Sequence, residues 1–357
     1  MRALTVRDSQ GERLGLEDVP EPSREEGDIL VETVALGVCG TDRGLVRRPP
    51  RLPAGRDRLI IGHESLGRVL EAPPGSGFHE GDLVVGIVRG ADPVPCPFCA
   101  SGEPDLCDNG GFTERGIMGR DGFGSERFAL MPHEAVRIDP RLGLAGLLLE
   151  PTSVVGKAWE RLGPLVRRRP ARALVLGAGP VGLLAALLGV ERGYEVHVMD
   201  QVDHGRKPDQ VRGLGAVYHT GPATLRGRFD VVLECTGALV SEAVRQTAPA
   251  GITCLIGEGE DRSVPVLGPE ELTADLIVGN KTVIGTSSSN RRHFEAGHQA
   301  LRQTDPKWLA GMLGPCVALE DWRAAFEAGP DQVKAVVIFN AGDRSGDLGP
   351  ALGAPQT

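Results

Sequence analysis

A glycine-rich turn between an apolar strand and an apolar helix constrains the fold of this chain more than any other feature. The sequence Gly-Ala-Gly-Pro-Val-Gly occupies positions 177–182, after the apolar stretch 173–176 and at the start of the apolar stretch 181–192. Three glycines in this setting permit a tight turn, a close backbone approach to a pyrophosphate and close helix–strand packing. The alternative is an ordinary strand–turn–helix without a ligand. The context predicts a dinucleotide-binding loop made by Gly177, Gly179, Pro180, Val181 and Gly182.

The second half of the chain alternates strands and helices. Predicted strands cover 173–176, 195–199, 230–235, 252–256 and 282–285, and predicted helices cover 181–192, 206–214, 239–248 and 293–302. Such alternation is typical of a doubly wound parallel sheet with helices on both faces. The earlier residues are different, because strand-like stretches at 30–36, 67–70 and 83–88 are separated by Pro- and Gly-rich turns. They predict an antiparallel, barrel-like domain.

These patterns predict how the chain is divided. We expect a catalytic domain over 1–155, a dinucleotide-binding domain over 156–305, a return to the catalytic domain over 306–341 and a flexible tail over 342–357. A helix over 150–162 marks the junction. The strand at 335–339 is expected to rejoin the first domain.

Composition excludes several classes of protein. The chain has 39 Lys and Arg against 48 Asp and Glu, a net charge of −9, which argues against general nucleic-acid binding. No run of eighteen apolar residues and no signal-peptide pattern occurs, so we expect no membrane association. Seven cysteines are too few, and odd in number, for a disulfide scaffold. A cytoplasmic location is therefore expected.

An acid follows the second strand of the predicted sheet. Asp200 lies eighteen residues after Gly182, where a carboxylate would bind the ribose hydroxyls of the coenzyme and repel a 2′-phosphate. Arg206 and Lys207 follow and could hold that phosphate instead. The alternative for Asp200 is a helix cap or a solvated loop acid. The pattern favours NAD, with NADP as the alternative coenzyme.

Three residues of zinc-ligand type follow predicted elements far apart in the chain. Cys39 follows a strand, His63 follows the apolar pair Ile60-Ile61, and Glu150 lies at the domain junction. Three protein ligands and an open position suit a catalytic zinc. Each residue alone is unremarkable, because a single Cys or His is more often part of the core, and this spacing does not require the three to converge.

The order of four motifs carries a family resemblance. Cys39-Gly-Thr-Asp, Gly62-His-Glu, Glu150-Pro and the glycine-rich loop together resemble the zinc-dependent medium-chain dehydrogenases over nearly the whole chain. Within that superfamily, the sequences around Glu114, Asp121-Gly-Phe, Leu149-Glu-Pro and His293-Phe-Glu-Ala are most similar to glucose 1-dehydrogenases of the archaeal type. The resemblance implies an α/β protein with a GroES-like β-barrel catalytic domain and a Rossmann domain.

The resemblance also implies residue roles. Cys39, His63 and Glu150 would bind a catalytic zinc, with Glu64 beside them or exchanging as a ligand. Thr41 would relay the proton of the substrate hydroxyl, Asp42 would orient His63, and Glu114 would contact sugar hydroxyls or zinc-bound water. Thr236 and Ser288 would join the coenzyme site.

The chain departs from the family pattern in two places. Cys96, Cys99 and Cys107 correspond to a structural zinc lobe, but Pro93 stands where a fourth Cys is expected. Asp92 could supply an oxygen, or the lobe could be free of metal. Ser288 stands where these glucose dehydrogenases carry Asn, and Arg89 lies near a position where they can use an amide.

The protein is expected to be a zinc-dependent oxidoreductase that transfers hydride from a sugar or polyol hydroxyl to NAD(P)+. The expected reaction is most like that of D-glucose 1-dehydrogenase, which oxidises glucose to gluconolactone. The alternatives are another sugar, a cyclitol, a polyol or a simple alcohol as substrate. A catalytically silent dinucleotide-binding relative is an alternative of another class. The expected partner is a small molecule, and the resemblance implies a homo-oligomer, either a dimer or a tetramer.

Overall fold

The computed structural model describes residues 1–8, 13–47, 50–168, 171–258, 268–327, 329 and 331–340. The tail predicted over 342–357 lies outside these residues. The strands, in chain order, are β1 (Arg2–Arg7), β2 (Leu14–Asp18), β3 (Ile29–Val38), β4 (Arg58–Ile60), β5 (Glu64–Glu71), β6 (Leu83–Gly86), β7 (Arg89–Gly90), β8 (Thr113–Arg115), β9 (Gly119–Arg120), β10 (Arg127–Leu130), β11 (Ala135–Arg137), β12 (Arg172–Leu176), β13 (Glu195–Met199), β14 (Val217–His219), β15 (Phe229–Glu234), β16 (Thr247–Leu255), β17 (Thr282–Gly285), β18 (Leu313–Ala318) and β19 (Lys334–Ile338).

Helices connect these strands. The α-helices are α1 (Gly40–Arg47), α2 (Pro97–Ala100), α3 (Leu149–Leu162), α4 (Pro180–Glu191), α5 (Arg206–Gly213), α6 (Val240–Gln246), α7 (Pro269–Gly279), α8 (Arg291–Gln303), α9 (Pro306–Met312) and α10 (Trp322–Phe326). Short 3₁₀ helices cover Pro104–Leu106, Pro132–Glu134, Pro140–Leu148, Gly163–Leu165, Pro222–Thr224 and Leu319–Asp321. None of the described helices is both long and apolar enough to cross a bilayer.

The chain forms two compact units. One comprises the described residues of Met1–Ser153, Ser288–Gly329 and Lys334–Asn340, and the other comprises those of Val154–Ser287 and Asp331–Val333. Helix α8, which we expected in the dinucleotide-binding domain, therefore lies in the first unit. Hydrogen bonds at the first turn of α8 fix the helix to that unit, because the guanidinium of Arg291 donates to the backbone carbonyls of Pro132, His133 and Ala135.

The first unit is built on antiparallel β-structure. A seven-stranded sheet has the order β11-β6-β5-β3-β19-β18, with β10 also paired to β3, and two three-stranded sheets have the orders β2-β1-β4 and β7-β8-β9. Strand β3 is the centre of this unit, because it pairs with β5, β10 and β19. Buried Val, Leu and Ile side chains pack around the rings of Phe123 and Phe128, whose centroids lie 4.9 Å apart.

The second unit contains the predicted parallel sheet. Its strand order is β14-β13-β12-β15-β16-β17, and every neighbouring pair is parallel. This is the order 3-2-1-4-5-6 of dinucleotide-binding folds, in which ligands bind at the carboxyl ends of the central strands. The predicted helix over 239–248 is too long, since it ends at Gln246 and β16 begins at Thr247. Helix α7 and strand β14 of this unit were not predicted.

Candidate active site

The end of strand β3 positions a thiol above the first turn of helix α1. The backbone N–H of Cys39 donates to Oδ2 of Asp42 at 2.9 Å, which fixes the turn between strand and helix. The backbone N–H of Thr41 points back to the sulfur of Cys39 at 3.2 Å. The sulfur thus faces a partial positive charge. Both contacts join residues only two or three positions apart, so the local sequence Cys-Gly-Thr-Asp is sufficient to form this turn.

His63 lies between Cys39 and Asp42. Its Nε2 is 3.1 Å from the sulfur of Cys39, and its Nδ1 is 3.2 Å from Oδ1 of Asp42, although the second pair is poorly aligned for a hydrogen bond. Burial lowers the pKa of His63, but the nearby Cys39 and Asp42 outweigh burial and hold the pKa well above its usual value. In the absence of a metal the ring therefore favours its charged form, so metal binding at Nε2 would displace a proton.

Glu150 adds a buried carboxylate at the start of α3. Burial raises its pKa to about 7, and repulsion from Glu64 and Glu114 acts in the same direction, whereas His63 and Lys334 lower it. Two groups of possible ligand atoms result, each with its atoms within 4.8 Å of one another. One contains Cys39, Asp42 and His63, and the other contains His63, Glu64 and Glu150.

These donors fit zinc. The predicted ligands Cys39, His63 and Glu150 are distributed over the two groups, which share His63. Thiolate sulfur, imidazole nitrogen and carboxylate oxygen are the ligand types that zinc takes in proteins. A buried carboxylate whose pKa is raised by burial would be stabilised in its charged form by a cation. The donor set and this carboxylate together make the cluster a candidate metal site in the first unit.

Glu64 forms an ion pair that the sequence analysis missed. Nζ of Lys334 donates to Oε1 of Glu64 at 2.6 Å and also contacts Oε2. The side chains are 2% and 1% exposed, so the pair is fully desolvated. Gly37 makes room for it, because a Cβ at that position would lie 2.3 Å from Oε2 of Glu64. The one available signal was a lysine at the start of the apolar strand 335–339.

Glu114 pairs with Arg89, the residue that departs from the family pattern. Nε and Nη2 of Arg89 donate to Oε1 of Glu114 at 3.0 and 2.7 Å. The two residues are directly opposite each other on the antiparallel strands β7 and β8. Arg89 is therefore a partner of Glu114 in this structure.

The three cysteines at the predicted zinc lobe come together. The sulfurs of Cys96, Cys99 and Cys107 lie within 4.8 Å of one another. The backbone N–H groups of Cys99 and then Asp108 lower the pKa of Cys96 to about 6, whereas burial raises the pKa of Cys99. Asp92 is not part of this group, and its Oδ1 accepts the backbone N–H of Val94 at 2.8 Å. Within the described part of the chain the lobe thus offers three ligand atoms.

The glycine-rich loop has the expected form in the second unit. Gly179 precedes α4, Pro180 is its first residue, and Val181 follows. A Cβ at Gly182 would lie 1.9 Å from the carbonyl oxygen of Gly177, so the helix can approach the loop only with glycine at that position. The turn and the free N–H groups at the start of α4 can bind a pyrophosphate.

Asp200 is engaged by the loop. Its Oδ2 accepts the backbone N–H of Ala178 at 2.7 Å, and its Oδ1 accepts that of Val202 at 3.2 Å. Nζ of Lys207 lies 3.5 Å from Oδ2, while Arg206 is exposed. The carboxylate of Asp200 is therefore hydrogen-bonded to the glycine-rich loop and lies beside the ammonium group of Lys207.

Thr236 and Ser288, the other two residues expected to contact the coenzyme, lie in different units. The backbone N–H of Thr236 donates to Oε1 of Glu234 at 3.0 Å, and the buried Glu234 also accepts the N–H of Gly237 at 2.8 Å. Glu234 thus shapes the turn after β15, a role that the sequence analysis missed. Ser288 belongs to the first unit and has a left-handed backbone, with φ of 56°. Asn tolerates this conformation better than most residues.

Comparisons with known proteins agree with the architecture. Residues 25–140 match the model of the alcohol dehydrogenase GroES-like domain, and residues 143–339 match the model of the glucose dehydrogenase C-terminus. The glucose 1-dehydrogenase of Methanocella arvoryzae is 35% identical, over 96% of this chain and 100% of that protein. The glucose 1-dehydrogenase of Thermoproteus tenax is 34% identical, over 94% and 99%. These matches confirm the predicted fold class.

A solved structure gives the same result. The glucose dehydrogenase of Haloferax mediterranei, in complex with NADP, zinc and gluconolactone, aligns with a TM-score of 0.86 at 28% identity. The alignment covers 95% of this chain and 99% of that one. Less similar structures, including the galactitol-1-phosphate dehydrogenase of Escherichia coli at 19% identity, share the fold.

Proposed function

Because the chain belongs to the glucose 1-dehydrogenase family of the zinc-dependent medium-chain dehydrogenases, we propose that it oxidises D-glucose at C1 to gluconolactone with NAD(P)+. The observation that carries the proposal is the set of thiol, imidazole and carboxylate donors shared through His63, in which the imidazole and the carboxylates are buried. The reaction moves a hydride from C1 to the nicotinamide ring and releases the hydroxyl proton to solvent. The Haloferax mediterranei relative, solved with zinc, NADP and gluconolactone, supports this choice.

Cys39, His63 and Glu150 are the residues that would hold the metal. Zinc bound there would supply a Lewis acid that makes the substrate hydroxyl more acidic near neutral pH. The protein's part is orientation and proton transfer. The carboxylate of Asp42 lies 3.2 Å from Nδ1 of His63 and would orient the ring, and Thr41, whose backbone N–H donates to the sulfur of Cys39, carries the hydroxyl that would relay the substrate proton.

The coenzyme would bind in the second unit through the loop at 177–182, together with Asp200 and Thr236. The nicotinamide ring supplies the hydride acceptor. Two features act on coenzyme choice in opposite directions. The carboxylate of Asp200 repels a 2′-phosphate and favours NAD+, whereas Arg206 and Lys207 attract one and favour NADP+. The ratio of the two activities is therefore a direct measure of which feature dominates.

A panel of substrates tests the proposed function. Purified protein supplied with zinc is mixed with aldoses, polyols, cyclitols and simple alcohols, each with NAD+ and with NADP+, and the absorbance of the reduced coenzyme is followed. We expect the highest kcat/KM with D-glucose. Preference for another sugar, a cyclitol or a polyol would keep the chemistry and replace the substrate. No turnover of any compound, with zinc and coenzyme both bound, would identify a catalytically silent relative.

The proposal extends to assembly and location. Strand β17 is an edge of the six-stranded sheet, and edge strands present unpaired backbone groups. Close to it in sequence are exposed apolar side chains: Ile277 is 69%, Val278 82% and Val283 38% exposed. We propose that this edge joins two copies of the chain in a dimer or tetramer. None of the seven cysteines, which all lie among the described residues, forms a disulfide, and this supports a reducing cytoplasm as its location.

Charge placed on this edge is expected to separate the subunits. Val278→Glu should shift the mass measured by light scattering toward that of one chain, because a carboxylate buried at an interface without a partner is strongly unfavourable. Val217→Glu, on the opposite edge strand β14, is the matched control, since Val217 is also exposed, at 45%. Dissociation by the control and not by Val278→Glu would refute the proposed interface.

A further inference from the structure

The ion pair between Arg89 and Glu114 is sheltered within the first unit. The side chains are only 10% and 16% exposed, so solvent screens the pair less than it screens a surface pair. The turn from β8, which carries Glu114, to β9 leads into a segment fixed beside His63, because the N–H groups of Gly122 and Phe123 donate to the carbonyls of Ile60 and Gly62 at 2.7 and 2.9 Å. The pair thus belongs to the part of the fold that carries the metal donors.

Arg89 is held by more than its partner. Its guanidinium stacks over the ring of Phe112, 4.0 Å from the centroid, and its Nη1 lies 3.4 Å from the carbonyl oxygen of Asp105. An aromatic face and a carbonyl both attract a guanidinium. These contacts fix the plane of the guanidinium independently of Glu114, so Arg89 can impose an orientation on the carboxylate.

Only one oxygen of the Glu114 carboxylate is hydrogen-bonded to Arg89. Both hydrogen bonds from Arg89 reach Oε1, and among the described residues Oε2 has no hydrogen-bond partner. The backbone of Glu114 is fixed as well, since its N–H donates to the carbonyl of Met118 at 2.8 Å. Oε2 is therefore an oriented, charged hydrogen-bond acceptor that is available to a ligand.

We propose that Arg89 is a positioning residue, which turns Glu114 so that Oε2 accepts a hydrogen bond from a hydroxyl of the sugar. This inference rests on the proposed function. Arg89 would thus act through Glu114, whereas the amide that glucose dehydrogenases can use near this position would contact the sugar directly. The inference also specifies the substrate class, because the charge of Arg89 is neutralised by Glu114. The pair suits a neutral polyhydroxy compound, because no net positive charge is left for a sugar acid or sugar phosphate and Oε2 can only accept a hydrogen bond.

A double-mutant cycle tests the proposal. The variants are Arg89→Gln, Glu114→Gln and the double variant, with Arg89→Lys as the conservative replacement and Arg127→Gln, on an exposed ion pair with Glu21, as the matched control. Two quantities are measured on the zinc-loaded enzyme with coenzyme: KM and kcat for glucose, and the dissociation constant of 1,5-anhydro-D-glucitol by calorimetry. This analogue lacks the C1 hydroxyl, so its binding does not depend on turnover.

The expected result is a loss of affinity without a loss of chemistry. Arg89→Gln and Glu114→Gln should each raise KM and the dissociation constant about tenfold, the effect of one lost charge-assisted hydrogen bond, with kcat within about twofold of the wild type. The double variant should match Glu114→Gln alone, because Arg89 acts only through Glu114. Arg89→Lys should lie between wild type and Arg89→Gln, and Arg127→Gln should change neither quantity.

Other outcomes overturn the proposal. A double variant weakened about a hundredfold, the product of the single effects, would mean that Arg89 contacts the sugar independently. An unchanged KM in Arg89→Gln would remove Arg89 from the site altogether. Wild-type preference for glucose 6-phosphate over glucose, lost in Arg89→Gln, would make Arg89 a receptor for an anionic group. If the wild type does not turn over glucose, the proposed function fails first, and the cycle is measured with the panel's best substrate.

Discussion

Replacement of Cys39 by alanine is expected to abolish turnover and to remove the metal while leaving the coenzyme bound. The sulfur of Cys39 is the only thiol among the described residues that lies with His63 and Asp42 in one group of possible ligands. Loss of a Lewis acid removes several kcal/mol of transition-state stabilisation. At about 1.4 kcal/mol per tenfold change in rate, this loss lowers kcat by about a thousandfold or more.

Metal content provides the second readout. We expect about one zinc per chain in the wild type, because the three-cysteine lobe is one ligand short of a closed structural site. Pro93 cannot ligate, and Asp92 does not join the three sulfurs. The Cys39→Ala variant should then contain almost none. Two zinc ions in the wild type, with one left in the variant, would show that the lobe completes its ligand set in another way.

The control is a second cysteine variant in the same unit. Cys316 lies in strand β18 and is not a member of any group of possible metal ligands among the described residues. Cys316→Ala should keep zinc, turnover and coenzyme affinity. Coenzyme affinity, measured by fluorescence titration, should also persist in Cys39→Ala, because the loop over 177–182 belongs to the second unit. A Cys39→Ala variant that retains both zinc and turnover would disprove the ligand assignment.

Local rules account for what the sequence could predict. The parallel sheet was predictable because each strand and helix has its own apolar pattern and turn residues, and the observed bounds differ from those predicted by a few residues. The contact between Thr41 and Cys39 and that between Asp42 and Cys39 lie within three residues of chain. Helix α7 was missed because the stretch after residue 256 has no clear apolar period in the sequence.

Long-range pairing could not be predicted in the same way. Lys334 meets Glu64 across 270 residues, and Arg89 meets Glu114 across 25, so neither partner carries a local signal for the other. The convergence of Cys39, His63 and Glu150 was expected only from the family resemblance. Composition and spacing specify residue types, whereas the pairing of β3 with β5 and β19 brings those types together.

Replacement of Lys334 by methionine is expected to destabilise the first unit strongly. Methionine keeps the length of the side chain but removes the ammonium group that pairs with the buried carboxylate of Glu64. Removal of one partner of a buried ion pair costs about 3–5 kcal/mol. We expect the free energy of unfolding of the metal-free protein, measured in urea by fluorescence and circular dichroism, to fall by about this amount.

Two comparisons separate the lost charge from the altered surface. Lys307→Met, at an exposed position in α9, removes the same charge from the same unit and should change the free energy of unfolding by about 0.5 kcal/mol or less. Glu64→Gln combined with Lys334→Met removes both buried charges and should recover most of the loss. Recovery would show that the cost comes from the unpaired carboxylate. An equally unstable double variant would assign it to packing around Gly37 instead.

Zinc makes the same experiment informative about the site. When Lys334 is replaced, the cations left beside Glu64 among the described residues are the protonated ring of His63 and any metal that His63 and Glu150 hold. Saturation with a ligand that binds only the folded state stabilises a protein by an amount set by its affinity. We therefore expect zinc to stabilise Lys334→Met more than it stabilises the wild type. Equal stabilisation of both proteins would mean that Glu64 stays away from the metal, and that Lys334 serves the fold alone.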